Sequence, residues 1–148
     1  MRVTGGILRG RRILVPKYDV RPTQDKVREA LFSILGVRVS DARFLDGYAG
    51  SGAVGIEAWS RGASHVCWVE SDVRTAQVIK SNIETLCESA GQVVTADAPL
   101  YLRRGAGGDP FEIIYLDPPY DFFSTMPGEA AAIRDRAPPR YTFRKDST

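Results

Sequence analysis

Residues 44–57 read Phe44-Leu45-Asp46-Gly47-Tyr48-Ala49-Gly50-Ser51-Gly52-Ala53-Val54-Gly55-Ile56-Glu57. A short apolar run ends in an acid, passes through a glycine-rich turn and opens into a helix-compatible segment. That order predicts the first strand–loop–helix of a nucleotide-binding α/β domain. Gly50 and Gly52 let the backbone take positive φ and approach a ligand that a Cβ would hold off. Residues 50–55 also spell Gly-x-Gly-x-x-Gly, and Glu70 follows Gly50 by twenty positions, which fits a dinucleotide site. Asp46 points elsewhere: a carboxylate at the mouth of the strand repels a pyrophosphate and suits a cationic or hydroxyl-bearing ligand. The competing structural reading is a plain turn between strand and helix.

Downstream of this stretch, strand and helix patterns alternate. Residues 43–46 form the expected first strand, and residues 53–61 a helix closed by Gly62. Residues 65–69 are a near-continuous apolar strand ending at Glu70, as in a sheet covered on both faces. Asp72 is placed to cap a helix in which Val73, Ala76, Ile79, Ile83 and Leu86 keep helical spacing. Residues 93–96 form a third strand ending at Asp97, a short helix begins near Pro99, and residues 111–116 form a fourth strand ending at Asp117. The fold class is therefore α/β, a Rossmann-like parallel sheet with helices on both faces. Four strands ending in Asp46, Glu70, Asp97 and Asp117 would bring their acids to one edge, the carboxyl edge where such sheets bind ligands.

Upstream, residues 2–15 read as a β-hairpin, with Gly5-Gly6 weakening the first strand or marking a bulge. Pro16 and Pro22 bracket an irregular link. Thr23 is placed to cap a helix carrying Val27, Ala30, Leu31, Ile34 and Leu35, and Gly36 to end it. This spacing puts Leu31, Ile34 and Leu35 on the buried face and leaves Lys26 and Arg28 towards solvent. Residues 1–28 hold eight basic side chains (Arg2, Arg9, Arg11, Arg12, Lys17, Arg21, Lys26, Arg28) against Asp19 and Asp25, whereas residues 29–120 hold twelve acids against seven bases. A basic arm on an acidic body is the pattern of a phosphate-backbone contact, with Arg9, Arg11, Arg12, Lys17, Lys26 and Arg28 as its candidates. A solvated basic surface is the bland alternative.

The 148 residues fit one domain of ordinary soluble composition, 43% apolar and 26% charged, with a net charge of +2. Cys67 and Cys87 lack metal-type spacing and read as buried thiols in a reducing compartment. His65 is the only histidine, so metal sites and histidine-based triads lack parts. No apolar stretch approaches a membrane span and the start has no signal-like core, so a cytoplasmic protein without a membrane partner is expected.

Asp117-Pro118-Pro119-Tyr120 follows the fourth strand. Two prolines fix φ and remove two backbone donors, leaving carbonyls as acceptors. Asp117 and the Pro118 carbonyl could accept both protons of an amino group while Tyr120 stacks on the ring that bears it.

Together with Met1-Arg2-Val3-Thr4-Gly5-Gly6, Gly10-Arg11-Arg12, the run from Arg21-Pro22-Thr23-Gln24-Asp25-Lys26-Val27-Arg28 to Phe32, the glycine loop and Ser60-Arg61-Gly62-Ala63, this motif makes residues 1–120 similar to a known family. They resemble the bacterial 16S ribosomal RNA guanine-N2 methyltransferases, the ribosomal small-subunit methyltransferase D type. The resemblance implies S-adenosylmethionine as cofactor and 16S ribosomal RNA, free or in an assembling small subunit, as partner. It implies that Asp46 and the backbone of Gly50, Ser51 and Gly52 hold the methionine end, that Glu70 accepts from the ribose hydroxyls and Asp97 from the adenine amine, and that Ala49, Ser71 and Ala98 also line the cofactor site. Arg21 and Thr23 would lie near the cofactor or RNA. Asp117, Pro118, Pro119 and Tyr120 would hold a flipped guanine for methylation at N2.

Two departures stand out. Gly47-Tyr48 replaces a Leu-Phe-like pair at the loop entry. Beyond residue 120, three prolines and mixed charge replace the expected C-terminal strands, so these read as missing, the fourth strand becomes an open edge, and residues 121–148 read as a flexible tail. The expected organisation is a basic arm over residues 1–22, a core over 23–120 and that tail. Other readings are an amino methyltransferase acting on adenine or cytosine of DNA or RNA, and an RNA- or cofactor-binding remnant without turnover. An NAD-dependent oxidoreductase is the weakest, because no hydride-transfer partners are offered.

Overall fold

The computed structural model describes residues 1–17, 23–104 and 110–118, and the backbone of 141–143. After α1 (Asp25–Leu35) and a 3₁₀ turn (Gly36–Val39), the chain alternates as expected. β1 (Arg43–Gly47), α2 (Ala53–Ser60), β2 (His65–Glu70), α3 (Val73–Leu86), β3 (Gly91–Thr95), α4 (Ala98–Arg104) and β4 (Ile113–Leu116) follow in order. A last strand, β5 (Tyr141–Phe143), completes a sheet of order β3-β2-β1-β4-β5. Every pairing in it is parallel.

Side chains on the central strands alternate between two cores, as period-2 geometry requires. Phe44, Val66, Trp68, Ile113 and Tyr115 face a layer that includes Phe32 of α1, Ile56 of α2, Ile79 of α3 and residues Val3, Leu8 and Ile13 of the amino-terminal segment. Leu45, Cys67, Val69, Ile114 and Leu116 face the other side with Ala98 and Phe111, against Tyr101 and Leu102 of α4. Both faces of β1, β2 and β4 are therefore buried, which explains their near-continuous apolar sequences. Each large side chain buried this way contributes roughly 1.5–3 kcal/mol. Both thiols are buried, and burial raises them, Cys87 to about 11.

Three expectations need correction. The helical face of α1 is rotated: Arg28, Phe32 and Leu35 are buried, while Ile34 is 73% exposed. Counting apolar residues alone misplaced it, because the buried stripe includes an arginine with its own acceptors. The cap residue of α1 is Gln24 rather than Thr23, and no side chain caps there. The fourth strand is not an edge, because Ile114, Tyr115 and Leu116 pair with Tyr141, Thr142 and Phe143. Three residues of backbone suffice for such pairing, too few to leave a periodic signal among the tail's prolines. The rest of the expected tail lies outside the described residues.

The amino-terminal segment forms only one antiparallel bridge, Arg2 with Arg12, supported by Val3 N–H to the Arg11 carbonyl at 2.9 Å and Ile13 N–H to the Met1 carbonyl at 2.9 Å. Its stability comes instead from docking on α2 and α3. Ile7 N–H donates to the Ser60 carbonyl and Leu8 N–H to Ser60 Oγ, both at 2.9 Å. Gly6 is neither a bulge nor a weakness: its φ is +79° and a Cβ would sit 1.9 Å from the Ser60 carbonyl oxygen. Farther along, Leu14 exchanges two hydrogen bonds with the Asn82 side chain of α3, each 2.9 Å. Among the described residues no helix is long and apolar enough to cross a membrane.

Candidate functional site

The carboxyl ends of β1 to β4 open into a cavity of about 280 Å³. Of the residues expected at a ligand site, Thr23, Asp46, Ala49, Gly50, Ser51, Glu70, Ser71, Asp97, Ala98, Asp117 and Pro118 line it. Sequence reasoning missed Tyr48, Ala53, Val54, Val69, Ala96 and Tyr115, which also contribute walls. Gly52 stands behind the wall: its φ is +80°, and a Cβ would meet Ile79 at 3.0 Å and the Trp68 indole at 3.3 Å. The Trp68 Nε1–H donates to the Gly52 carbonyl at 2.9 Å, fixing the loop from beneath. Arg21, Pro119 and Tyr120 lie outside the described residues.

The departure at Gly47-Tyr48 has a local compensation. Gly47 is buried against Leu116, whose Cδ2 lies 2.5 Å from where a Cβ would stand. Tyr48 takes a φ of 56°, a left-handed conformation uncommon outside glycine and concentrated at ligand sites.

Asp46 is almost completely buried and accepts Gly55 N–H at 3.0 Å through Oδ2. Burial pushes its carboxyl well above the ordinary value; the Gly55 bond opposes this, and the neighbouring charges of Asp117 and Glu70 add to it. Glu70 Oε1 accepts Gly50 N–H and Oε2 accepts Asp72 N–H, both at 2.9 Å. That carboxylate therefore bridges the glycine loop and the start of α3. Asp72 caps α3 as expected: Thr75 donates its amide and its hydroxyl to Oδ2, each at 2.8 Å, and the pair holds the Asp72 carboxyl below its usual value. Asp97 is exposed at the cavity, and its Oδ1 accepts Leu100 N–H at 3.0 Å, so it also caps α4.

The cavity thus gathers four carboxylates, and among the described residues no ion pair joins Asp46, Glu70 or Asp97 to a lysine or arginine. An acidic lining with one buried carboxyl whose charge is disfavoured suits a ligand that brings positive charge and hydroxyl or amino donors. It does not suit the pyrophosphate of a dinucleotide.

Arg9, Arg11, Arg12, Lys17 and Lys26 are exposed, as a phosphate contact requires. Arg28 is not, and its assignment as a solvent-facing contact is corrected. Its guanidinium is fully buried, with Nη1 donating to the Thr23 carbonyl at 2.6 Å, Nη2 to the Arg2 carbonyl and to Asp25 Oδ1 at 2.8 Å, and Nε to Glu57 Oε1 at 3.3 Å. Glu57, also fully buried, was missed. It accepts Thr4 N–H and Gly5 N–H at 3.0 Å and Arg61 Nε at 3.0 Å. A lone acid inside the otherwise uncharged α2, four residues before Arg61, was the available signal.

The family model described as conserved hypothetical protein 95 matches residues 1–137. Ribosomal RNA small subunit methyltransferase D of Escherichia coli strain K12 is 40% identical over 121 residues, covering 81% of this chain and 60% of the relative. The protein of the same name from Haemophilus influenzae is 37% identical over 125 residues, covering 82% and 65%. The chain thus spans less than two thirds of the length of both relatives. The solved structure of a hypothetical protein from Thermus thermophilus superposes with a TM-score of 0.77 at 34% identity, covering 90% of this chain and 78% of that one. Precorrin-6Y C5,15-methyltransferase from Geobacter metallireducens, at 21% identity and a TM-score of 0.68 over 88% and 66% of the two chains, shares the fold. The architecture is that of the Rossmann-like methyltransferases.

Proposed function

This chain belongs to the family described as conserved hypothetical protein 95, and from that premise we propose that it binds S-adenosylmethionine and methylates the exocyclic amine of a guanine in small-subunit ribosomal RNA. The observation that carries this reading is a cavity lined jointly by the glycine loop, the strand-end acids and Asp117-Pro118.

The fit to the cofactor rests on the donor set. S-adenosylmethionine supplies an electrophilic methyl on a sulfonium, and its ammonium and sulfonium add the positive charge that the lining lacks. In this reading Asp46 and the backbone of residues 50–52 hold the amino-acid end. Glu70 accepts from the ribose hydroxyls, and Asp97 from the adenine amine. Asp117 and the Pro118 carbonyl accept hydrogen bonds from the two N–H groups of the target amine, which aims its nitrogen lone pair at the methyl carbon. In the motif reading Tyr120 stacks on the base. Residues that only hold two reactants in line can lower the barrier greatly through orientation. The guanine must first leave its stack, which costs a few kcal/mol. Exposed Arg9, Arg11 and Arg12 supply phosphate contacts for this RNA.

In a second reading the chain binds cofactor and RNA without turnover. Incubation with methyl-labelled cofactor and free 16S RNA, then with assembled small subunits, separates the two. Label on a guanine amine supports the first reading, binding without transfer supports the second, and no cofactor binding overturns both.

A further inference from the structure

The cluster around Arg28 is not used by the proposed reaction, yet it ties the arm, the Thr23 wall of the cavity, the start of α1 and α2 together. One buried guanidinium donates to the Arg2 carbonyl in the arm, the Thr23 carbonyl at the cavity wall, Asp25 at the start of α1 and Glu57 in α2. Glu57 in turn holds the arm amides of Thr4 and Gly5. Arg61 closes the cluster, with Nε on Glu57, Nη2 on Thr4 Oγ1 at 3.0 Å and its guanidinium 5.4 Å from the Phe32 ring centroid. Buried ion pairs add little stability over well-packed apolar residues of similar volume, so stability alone is a poor reason for one. A planar guanidinium with donors at fixed angles does something an apolar core cannot: it sets the relative position of the groups it binds.

We propose that Arg28 is a positioning residue, which fixes the RNA-contacting arm against the Thr23 wall of the cofactor cavity. This rests on the proposed function above. RNA phosphates gripped by the arm and a methyl donor seated in the cavity are then held in one frame. The distance from target amine to methyl group is set through Arg28 without its touching either. Lysine at this position keeps the charge beside Glu57 but cannot reach all four acceptors from one ammonium.

The test uses the full chain with Arg28→Lys and, separately, Glu57→Gln, each first checked for a cooperative melt. Single-turnover methyl transfer is measured with saturating cofactor and RNA, beside the dissociation constants of both and hydrogen exchange of backbone amides. In Arg28→Lys the transfer rate should fall about 10- to 100-fold while both dissociation constants stay within about threefold, because a displacement near 1 Å is costly only to the reacting geometry. The Thr4 and Gly5 amides should exchange at least about tenfold faster while α3 amides are unchanged. A folded variant with wild-type transfer rate overturns the proposal, as does a rate loss matched by an equal loss of cofactor or RNA binding. If Arg28→Lys does not fold, Glu57→Gln decides by the same readings. If the wild-type chain transfers no methyl to any RNA, the functional reading fails instead. Arg28 is then judged by exchange: accelerated arm amides over an unchanged core support its role, and unchanged arm amides overturn it.

Discussion

Asp46 and Glu57 are two buried carboxylates on one strand–loop–helix unit, and their surroundings are opposite. Glu57 sits between Arg28 and Arg61 and accepts two backbone amides of the arm. Asp46 accepts one backbone amide, and its charged neighbours are Asp117 and Glu70. Burial costs a carboxylate its hydration in either place. At Glu57 the fold restores that loss from its own cations. At Asp46, among the described residues, it does not, and the shortfall lies open to a cavity. A structural acid is thus distinguished from a ligand-directed one by whether its countercharge is built into the fold.

The strongest way to break this contrast is Glu57→Ala. It would strand the Arg28 cation in the interior and should lower unfolding free energy by about 3–5 kcal/mol in urea titrations. A loss below about 1 kcal/mol would mean the network is slack. Glu70→Ala should instead spare the fold and weaken S-adenosylmethionine by about 1.5–3 kcal/mol in calorimetry, through lost charge-assisted bonds. NADH should not compete; if it binds, the assignment of the cavity is wrong.

A finer test is Asp46→Asn. Its carboxyl is raised in the folded chain, so the folded state binds the proton more tightly than the unfolded one. The stability this gives is complete below the ordinary value of 3.8 and is lost as pH rises through the raised value. Near neutral pH the charged side chain is therefore a cost that asparagine removes while still accepting Gly55 N–H. The melting temperature without ligand should rise on the order of 2–4 °C at pH 7, with the gain vanishing towards acid, while cofactor affinity drops. A fall in melting temperature at pH 7 would show Asp46 to be a structural acid like Glu57. The smallest stability effect belongs to the exposed cations. Replacing Arg9, Arg11 and Arg12 with alanine should change stability by no more than about 0.5 kcal/mol. The same change should flatten the salt dependence of RNA binding by about 0.7–0.9 log units per lost phosphate contact.

The Asp46 side of the contrast was legible in the sequence and the Glu57 side was not. Strand, acid, glycine loop and helix are contiguous, and a parallel sheet brings successive strand ends together without further information. Hence Asp46, Glu70, Asp97 and Asp117 could be assigned to one edge from local pattern. Arg28 and Glu57 meet across 29 positions, and Glu57 meets Thr4 across 53. Nothing local encodes either meeting, and a rule that counts only apolar residues turned α1 the wrong way. Ile34 was expected inside and lies exposed, because Arg28 occupies the stripe that packs. β5 was illegible for another reason: strand pairing there needs only backbone, and its partner is fixed by the edge β4 presents.

The Trp68 indole, wholly buried under the glycine loop, has an optical consequence. The chain has two tryptophans, and Trp68 is the one that hydrogen-bonds the loop, through the Gly52 carbonyl. A Cβ at Gly52 would fall 3.3 Å from its Nε1 and one at Gly55, in the first turn of α2, 2.3 Å from it, so the ring has no slack against the loop or the helix that follows it. Any ligand that shifts the loop must change the polarity or the hydrogen bond felt by that chromophore. With Trp59 replaced by phenylalanine, the remaining emission becomes an intrinsic gauge of loop position, readable in a stopped-flow instrument without a label on protein, cofactor or RNA.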